Sequence, residues 1–396
     1  MKIDIPNGAS FIISRLEENG KRADIVGGPV RDALLGKIAD DFDITTSATP
    51  DEVVRIFADC RVIKTGIAHG TVTVMKDGVP YEVTTYRIDG EYTDNRHPDS
   101  VKFTTDIKDD LSRRDFTVNA MAYSPRFGLT DAFGGREDLN RRIIRTVGDP
   151  HLRFSEDALR ILRAIRFSSV LGFSVDAKTA ECARTLAPRL KDVSAERIYT
   201  EWVKLLSGKN AYSVILDFSD IISVFLPEIS EKALPSRSAF DAASPLVKML
   251  SLFAKSQKDN APDAFFCATL RLKTDKKTRE NGKIALEFYK NSTESRRDIL
   301  HLLSTLGEER ARLVIELRIA LELAPKETLA AFFALIAENP PYKITDLAIN
   351  GKDLETLGFF GKEIGELLKS LLTAVIDGEL QNEKGTLLSF IKRQKR

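Results

Sequence analysis

Asp41 and Asp43 stand two apart in Asp41-Phe42-Asp43-Ile44-Thr45-Thr46, a segment whose β-branched residues give it strand character. Alternation along a strand then turns both carboxylates to one face. Two hard oxygen ligands converging in this way suit Mg²⁺, which usually takes one or two carboxylates together with substrate phosphates. The chemistry that follows is phosphoryl transfer, in which one ion activates an attacking hydroxyl and a second steadies the leaving pyrophosphate. Taken alone, the pair also reads as the solvent-facing acidic end of a strand. Glu82, in Tyr81-Glu82-Val83-Thr84-Thr85-Tyr86, offers either a third carboxylate or an exposed strand position.

Val26-Gly27-Gly28-Pro29-Val30-Arg31-Asp32-Ala33-Leu34-Leu35-Gly36 reads as a strand, a glycine turn and a short helix that Pro29 opens and Gly36 closes. The start of such a helix attracts anions, the glycines permit close backbone approach, and Arg31 adds a charge-assisted fork, so the segment can hold phosphate or be a plain turn. Downstream, Arg113-Arg114-Asp115-Phe116-Thr117-Val118-Asn119-Ala120 sets two arginines and an acid against a small apolar run. The arginines can hold a triphosphate and Asp115 a ribose hydroxyl; a structural ion-pair cluster is the alternative.

In Glu156-Asp157-Ala158-Leu159-Arg160-Ile161-Leu162-Arg163-Ala164-Ile165-Arg166-Phe167 the spacing predicts a helix with Asp157 and Arg160 on one face. An acceptor beside a donor fork matches the Watson–Crick edges of cytosine and adenine. Guanine and uracil would oppose donor to donor and acceptor to acceptor, at about 1–3 kcal/mol for each unpaired buried group. An ordinary helix-face salt bridge fits the same spacing. Arg163 continues the row, and Arg166 lies about half a turn round from Asp157.

Positioning these groups requires two kinds of element. Up to about Val147, β-rich runs at Arg22–Val26, Asp43–Thr46, Gly70–Met75, Tyr81–Tyr86 and Phe116–Tyr123 alternate with turns, which predicts a mixed α+β region. From Ser155 onward leucine- and alanine-rich stretches carry helical spacing. The 396 residues, 43% hydrophobic and 30% charged, suit a folded protein of two or three domains. The net charge of +1 means that any nucleic-acid contact must use local patches. Lys273, Lys276, Lys277, Arg279 and Lys283 form the clearest such patch or a solvated face, and the basic end from Lys392 to Arg396 reads as a frayed tail. Cys60, Cys182 and Cys267 lack zinc spacing, and no segment has the apolar length of a membrane span. The expected location is therefore cytoplasmic, with no membrane association.

Six ordered motifs together resemble the bacterial class II CCA-adding tRNA nucleotidyltransferases, within the polymerase-β-like superfamily that also holds bacterial poly(A) polymerases. They are GGPVRDALLG with DFD, RRDFTVNA, DAFGGREDL, EDALRILRAIRF, SAERIYTEWVKLL at Ser194–Leu206, and ITDLAINGKDLETLGFFGKEIGELL near the end. The resemblance implies an α+β nucleotidyltransferase head with a mainly antiparallel sheet at 1–147. An all-α neck at 148–210, body at 211–340 and tail at 341–396 would follow. It implies template-independent addition of CCA to the tRNA 3′ end from CTP and ATP, with Mg²⁺ held by Asp41 and Asp43 as the catalytic pair. Gly28, Arg31, Arg113 or Arg114, and Asp115 would contact the nucleotide. Asp157 and Arg160 would read the base with Arg163 and Arg166 in support, and the Ser194–Glu201 motif would brace the neck. The partners are tRNA and the two nucleotides, with no obligatory protein partner. Tyr86–Pro98 resembles the flexible loop that members adding the final A retain. An A-adding enzyme, a poly(A) polymerase and an inactive RNA-binding protein are the competing readings.

Overall fold

The computed structural model describes residues 3–39, 41–90, 100–230 and 233–394, so most of the predicted flexible loop lies outside the described residues. The chain divides into two compact units, Met1–Pro227 and Glu228–Arg396.

The first unit opens with α1 (Asn7–Glu18), β1 (Ala23–Val26), α2 (Gly28–Leu34), β2 (Ile44–Thr46) and α3 (Pro50–Ile56). Strands β3 (Val62–Ile63), β4 (Thr71–Lys76), β5 (Val79–Thr85), β6 (Arg87–Asp89) and β7 (Val101–Phe103) follow, then α4 (Ile107–Ser112), β8 (Met121–Ser124) and β9 (Gly128–Asp131). Seven strands form one sheet in the order β3-β4-β5-β2-β1-β8-β9. Only the β2–β5 pairing is parallel, so the sheet is mainly antiparallel as expected. Its central strands β1, β2 and β8 are wholly buried. Ala9, Ile12, Ile13 and Leu16 of α1 supply part of the core, at the i, i+3, i+4, i+7 spacing of an amphipathic helix. The buried Asp24 on β1 is matched, since Tyr86 donates to it at 2.6 Å and Arg22 at 2.9 Å.

One predicted strand is shorter than expected. Thr117–Asn119 form a 3-10 turn, and the strand begins only at Met121. Side-chain bonds from Thr117 to Asp138 and from Asn119 to Asp115 hold this turn, the local competition with a ladder that short polar side chains offer.

After α5 (Gly135–Arg141) and β10 (Ile143–Ile144) the chain turns helical: α6 (Pro150–Glu156), α7 (Leu159–Leu171), α8 (Ala177–Leu186), α9 (Ala195–Leu206), α10 (Ala211–Asp217) and α11 (Ser219–Ile222). One short strand, β11 (Ser174–Val175), interrupts them and pairs with β10. The spacing predicted one helix across Glu156–Phe167, but the structure breaks it at Asp157, whose backbone is extended at φ −146° and ψ 105°. The Asp157 side chain accepts the Leu159 N–H, so an aspartate that could have continued a helix instead starts a new one.

The second unit is helical from Arg237 to Gln394, and its last helix, Lys384–Gln394, runs into the basic end expected to fray. Within it Phe253 and Phe265 pack edge to face, and Gly282 lets the helix Lys276–Phe288 approach Phe265 so closely that a Cβ would lie 2.3 Å from the ring. Much of the predicted basic patch is tied to acids: Lys276 to Glu280, Lys277 to Glu309 and Lys283 to Asp263. No described helix is long and apolar enough to cross a membrane.

Candidate active site

Asp43 sits at the mouth of β2, and its carbonyl accepts the Val26 N–H at 3.1 Å, which extends the β1 pairing by one residue. Asp41 lies in the irregular segment just before it. Phe42, between them, lines a cavity of about 660 Å³ with Pro29 and Ala33 of α2, while both aspartates are exposed. The strand expected from Asp43 begins only at Ile44, so strand alternation does not by itself place the two carboxylates. The β2–β5 register pairs Ile44 with Val83, which brings Asp43 level with Glu82. Loss of surrounding water raises the Asp43 carboxyl above its ordinary value, Arg114 opposes and Asp41 adds to the rise. Glu82 is raised in the same way, by partial burial and then by Asp43 and Asp41.

Among the described residues neither the Asp41 nor the Asp43 carboxylate has a hydrogen-bond or ion-pair partner, and no set of three acids, histidines or cysteines converges tightly enough to hold a metal alone. Two mutually repelling oxygen donors fit a hard divalent cation that completes its shell with phosphate oxygens.

The glycine turn supplies the support. Gly27 has φ 81° and ψ −127°, and a Cβ there would lie 3.1 Å from Arg114 Nη1. Both the backbone conformation and the close approach demand glycine at 27. Gly28 differs, for a Cβ would meet only the end of Arg31 at 3.7 Å. Arg31 forks onto Asp32 and donates to Asn119 Oδ1 at 2.7 Å.

Asn119 passes the connection to Asp115, the centre of a buried knot. Asp115 Oδ1 accepts from the Phe116 N–H at 2.8 Å and from Asn119 Nδ2 at 3.2 Å. Its Oδ2 accepts from Arg163 Nε at 2.9 Å and Nη2 at 2.6 Å. Those four donors fill the roughly four acceptor positions of a carboxylate. Burial pushes the Asp115 carboxyl up, but the Arg163 charge and hydrogen bonds outweigh that and hold it at about 2. Beyond Arg163 lies Glu201 at 3.9 Å, which accepts from Arg166 at 2.9 Å; the Arg166 guanidinium lies 3.5 Å from the Phe167 ring centroid.

Arg113 and Arg114 both turn to Asp110, at 2.7 and 3.6 Å. Arg114 is deeply placed, and its Nε has no hydrogen-bond partner among the described residues. Burial lowers its pKa, with Asp110 opposing the shift.

Asp157 and Arg160 do not pair with each other through their side chains. Asp157 Oδ2 accepts from Arg197 Nη2 at 2.7 Å, and its Oδ1 from the Leu159 N–H at 3.0 Å. Arg160 pairs with Glu156 and donates to the Arg153 and Arg113 carbonyls, both at 3.2 Å. The ordinary salt bridge that the spacing allowed is therefore not formed. Both side chains remain partly accessible and both keep unused hydrogen-bonding capacity.

Gly27, Asn119, Glu156, Arg197 and Glu201 complete this network beyond the residues that sequence reasoning nominated. Glu201 leaves a signal, because it is an acid on the otherwise apolar stripe of α9 with Ile198, Trp202 and Leu205. Arg197 lies in the Ser194–Glu201 motif that the resemblance gives a bracing role, but only the fold brings it to a residue 40 positions earlier.

The Poly A polymerase head domain model matches residues 23–145, the "Probable RNA and SrmB- binding site of polymerase A" model residues 172–232, and a model of tRNA nucleotidyltransferase domain 2 residues 264–391. A CCA-adding enzyme of Enterococcus faecalis is 36% identical, over 99% of this chain and 97% of its own. That of Geobacillus thermodenitrificans is 38% identical over 97% of this chain and 96% of its own. The crystal structure of the Bacillus stearothermophilus CCA-adding enzyme in complex with CTP superposes with a TM-score of 0.78 at 33% identity, covering 98% of this chain and 97% of that one.

Proposed function

The chain belongs to the CCA-adding enzymes, a family of tRNA nucleotidyltransferases, and from that premise we propose how its own residues divide the work. The protein adds the terminal CCA to the 3′ end of tRNA by nucleotidyl transfer, with CTP and ATP as substrates. A bond forms between the tRNA terminal hydroxyl oxygen and the nucleotide α-phosphorus, the bond to the β-phosphate breaks, and pyrophosphate leaves.

Asp41 and Asp43 are the catalytic pair and would hold Mg²⁺, which when bound would supply charge neutralisation at the phosphates and activation of the attacking hydroxyl. The observation that carries this reading is that neither carboxylate has a protein partner among the described residues, in a unit where arginines pair with Asp110, Asp115 and Asp157. Arg31, Arg113 and Arg114, with the Gly28 backbone, draw in the triphosphate. Asp115 orders the sugar side through Arg163 and Asn119; a direct bond to a ribose hydroxyl requires one of its four present donors to yield. Asp157 accepts from the base amino group, Arg160 donates to the neighbouring ring acceptor, and Arg166 supports them through Glu201. In this reading residues 1–147 are the catalytic head, 148–210 the base-reading neck, and 211–340 and 341–396 the body and tail that carry the tRNA.

The test supplies purified protein and Mg²⁺ with tRNAs ending at the discriminator base, at C or at CC, together with CTP, ATP or both. Three added nucleotides and no more on the shortest tRNA, lost in an Asp41→Ala, Asp43→Ala variant, are the expected result. A single A added only to the CC-ended tRNA, or a long A tract, would overturn the CCA assignment.

A further inference from the structure

We propose that Arg197 is a specificity-determining positioning residue: it fixes the Asp157 carboxylate in the orientation that reads the incoming base. This rests on the base-reading role given to Asp157 above. The geometry begins with the break between α6 and α7. Because Asp157 is outside both helices, its backbone does not confine its side chain as a helix interior would, and the terminal torsion of an aspartate is intrinsically broad. The Leu159 N–H holds one oxygen and leaves the carboxylate free to swing about that contact. Arg197 holds the other at 2.7 Å. With one donor on each oxygen the plane of the group is set, and each oxygen keeps a lone pair for a ligand. Asp115 provides the contrast, for its four donors saturate it.

The position of Arg197 on α9 supports a role beyond helix stability. It lies in the first turn, where a cation opposes the helix dipole, so the local helix disfavours what the pairing with Asp157 recovers. Glu201 follows one turn later on the same face and grips Arg166. A single face of α9 thus aims the base acceptor with one residue and the arginine row with another. Both members of the Arg197–Asp157 pair are largely shielded, with side chains 23% and 13% exposed, so the contact is not a loose surface pair.

A carboxylate held in place rejects guanine and uracil, because each presents an acceptor where cytosine and adenine present an amino group. A carboxylate able to rotate away no longer imposes that clash. Loosening Asp157 therefore costs selection more than it costs triphosphate binding.

The experiment measures kcat and KM for CTP, ATP, UTP and GTP on tRNAs ending at the discriminator base and at CC. It compares the full-length wild type with Arg197→Ala, Arg197→Lys, Asp157→Ala and the Arg197→Ala, Asp157→Ala double variant, and melting curves check folding. Arg197→Ala is expected to lower the preference for CTP over UTP and for ATP over GTP by about tenfold or more, the scale of a charge-assisted hydrogen bond. Inhibition by inorganic pyrophosphate should be unchanged. Arg197→Lys, which keeps one charged donor, should restore part of the preference and carries the test if the alanine variant does not fold. The double variant should discriminate no worse than Asp157→Ala alone, the mark of two residues acting through one group. If Asp157→Ala relaxes selection while both Arg197 variants keep wild-type ratios, or if the double variant shows additive losses, Arg197 does not act through Asp157. If Asp157→Ala itself leaves selection intact, the base-reading assignment falls, and this proposal with it.

Discussion

Two sets of acids in the same unit are treated in opposite ways. Asp41, Asp43 and Glu82 have no side-chain donors among the described residues, and partial burial, then the neighbouring carboxylates, makes ionisation harder for Asp43 and Glu82, with Arg114 opposing at Asp43. Asp115 and Glu201 are buried, and arginines meet both. The first arrangement is unfavourable as it stands and becomes favourable when a cation arrives; the second is already satisfied and can only lose by disruption. Carboxylates that no hydrogen bond satisfies mark the place for a ligand, while saturation marks the frame that holds the surrounding groups. Asp157 lies between these extremes, held by two donors with capacity to spare.

The sharpest way to test the contrast is to neutralise one acid from each set. Asp41→Ala or Asp43→Ala should lower kcat on the order of 10²–10³-fold, the loss typical when one group that stabilises transition-state charge is removed. The melting temperature should be unchanged or slightly higher, because a repulsion is relieved. Asp115→Ala should do the reverse to stability and cost about 3–5 kcal/mol in denaturant unfolding, because it strands Arg163 without its main partner. If Asp115→Ala proved as stable as wild type, the distinction between frame and ligand site would break down.

Much of this was legible in the residues themselves. The change from a mixed α+β region to helices came from period-two and helical spacing, and the antiparallel sheet from the motif resemblance, whereas Asp41 and Asp43 precede β2 in irregular backbone. What periodicity could not reveal were choices made by side-chain hydrogen bonds. Asp157 breaks a helix that its neighbours favour, and Asn119 sits on a turn where Phe116–Tyr123 read as a strand. Partners far apart in sequence were also out of reach: Arg197 with Asp157, Glu201 with Arg166, and Arg163 with Asp115. The motifs named most of the charged groups, but only folding decided which charge met which.

Acid gives a finer measure of the saturated set. Asp115 is held at about 2, below its ordinary 3.8, so its pairing contributes fully above pH 4 and is lost as the pH falls through 2. The difference corresponds to about 2 kcal/mol. Unfolding free energy measured by denaturant at successive pH values should fall over that window in the wild type. The part due to Asp115 should be missing in Asp115→Asn; an identical fall in that variant would assign the loss to other carboxylates.

The smallest effect separates two adjacent glycines that the sequence presents as equivalent. Gly27 carries φ 81° and packs against Arg114, so Gly27→Ala should cost about 1–2 kcal/mol of stability through backbone strain, and should disturb the arginine whose charge acts on Asp43 as well. Gly28 has helical geometry and room for a methyl, so Gly28→Ala should leave the melting temperature nearly unchanged. If its backbone meets the triphosphate, that methyl should instead raise KM for both CTP and ATP by a similar factor, because both carry the same phosphates. A stability loss at Gly28, or a KM change confined to one nucleotide, would remove Gly28 from the triphosphate site and leave Gly27 alone as the residue that shapes the turn.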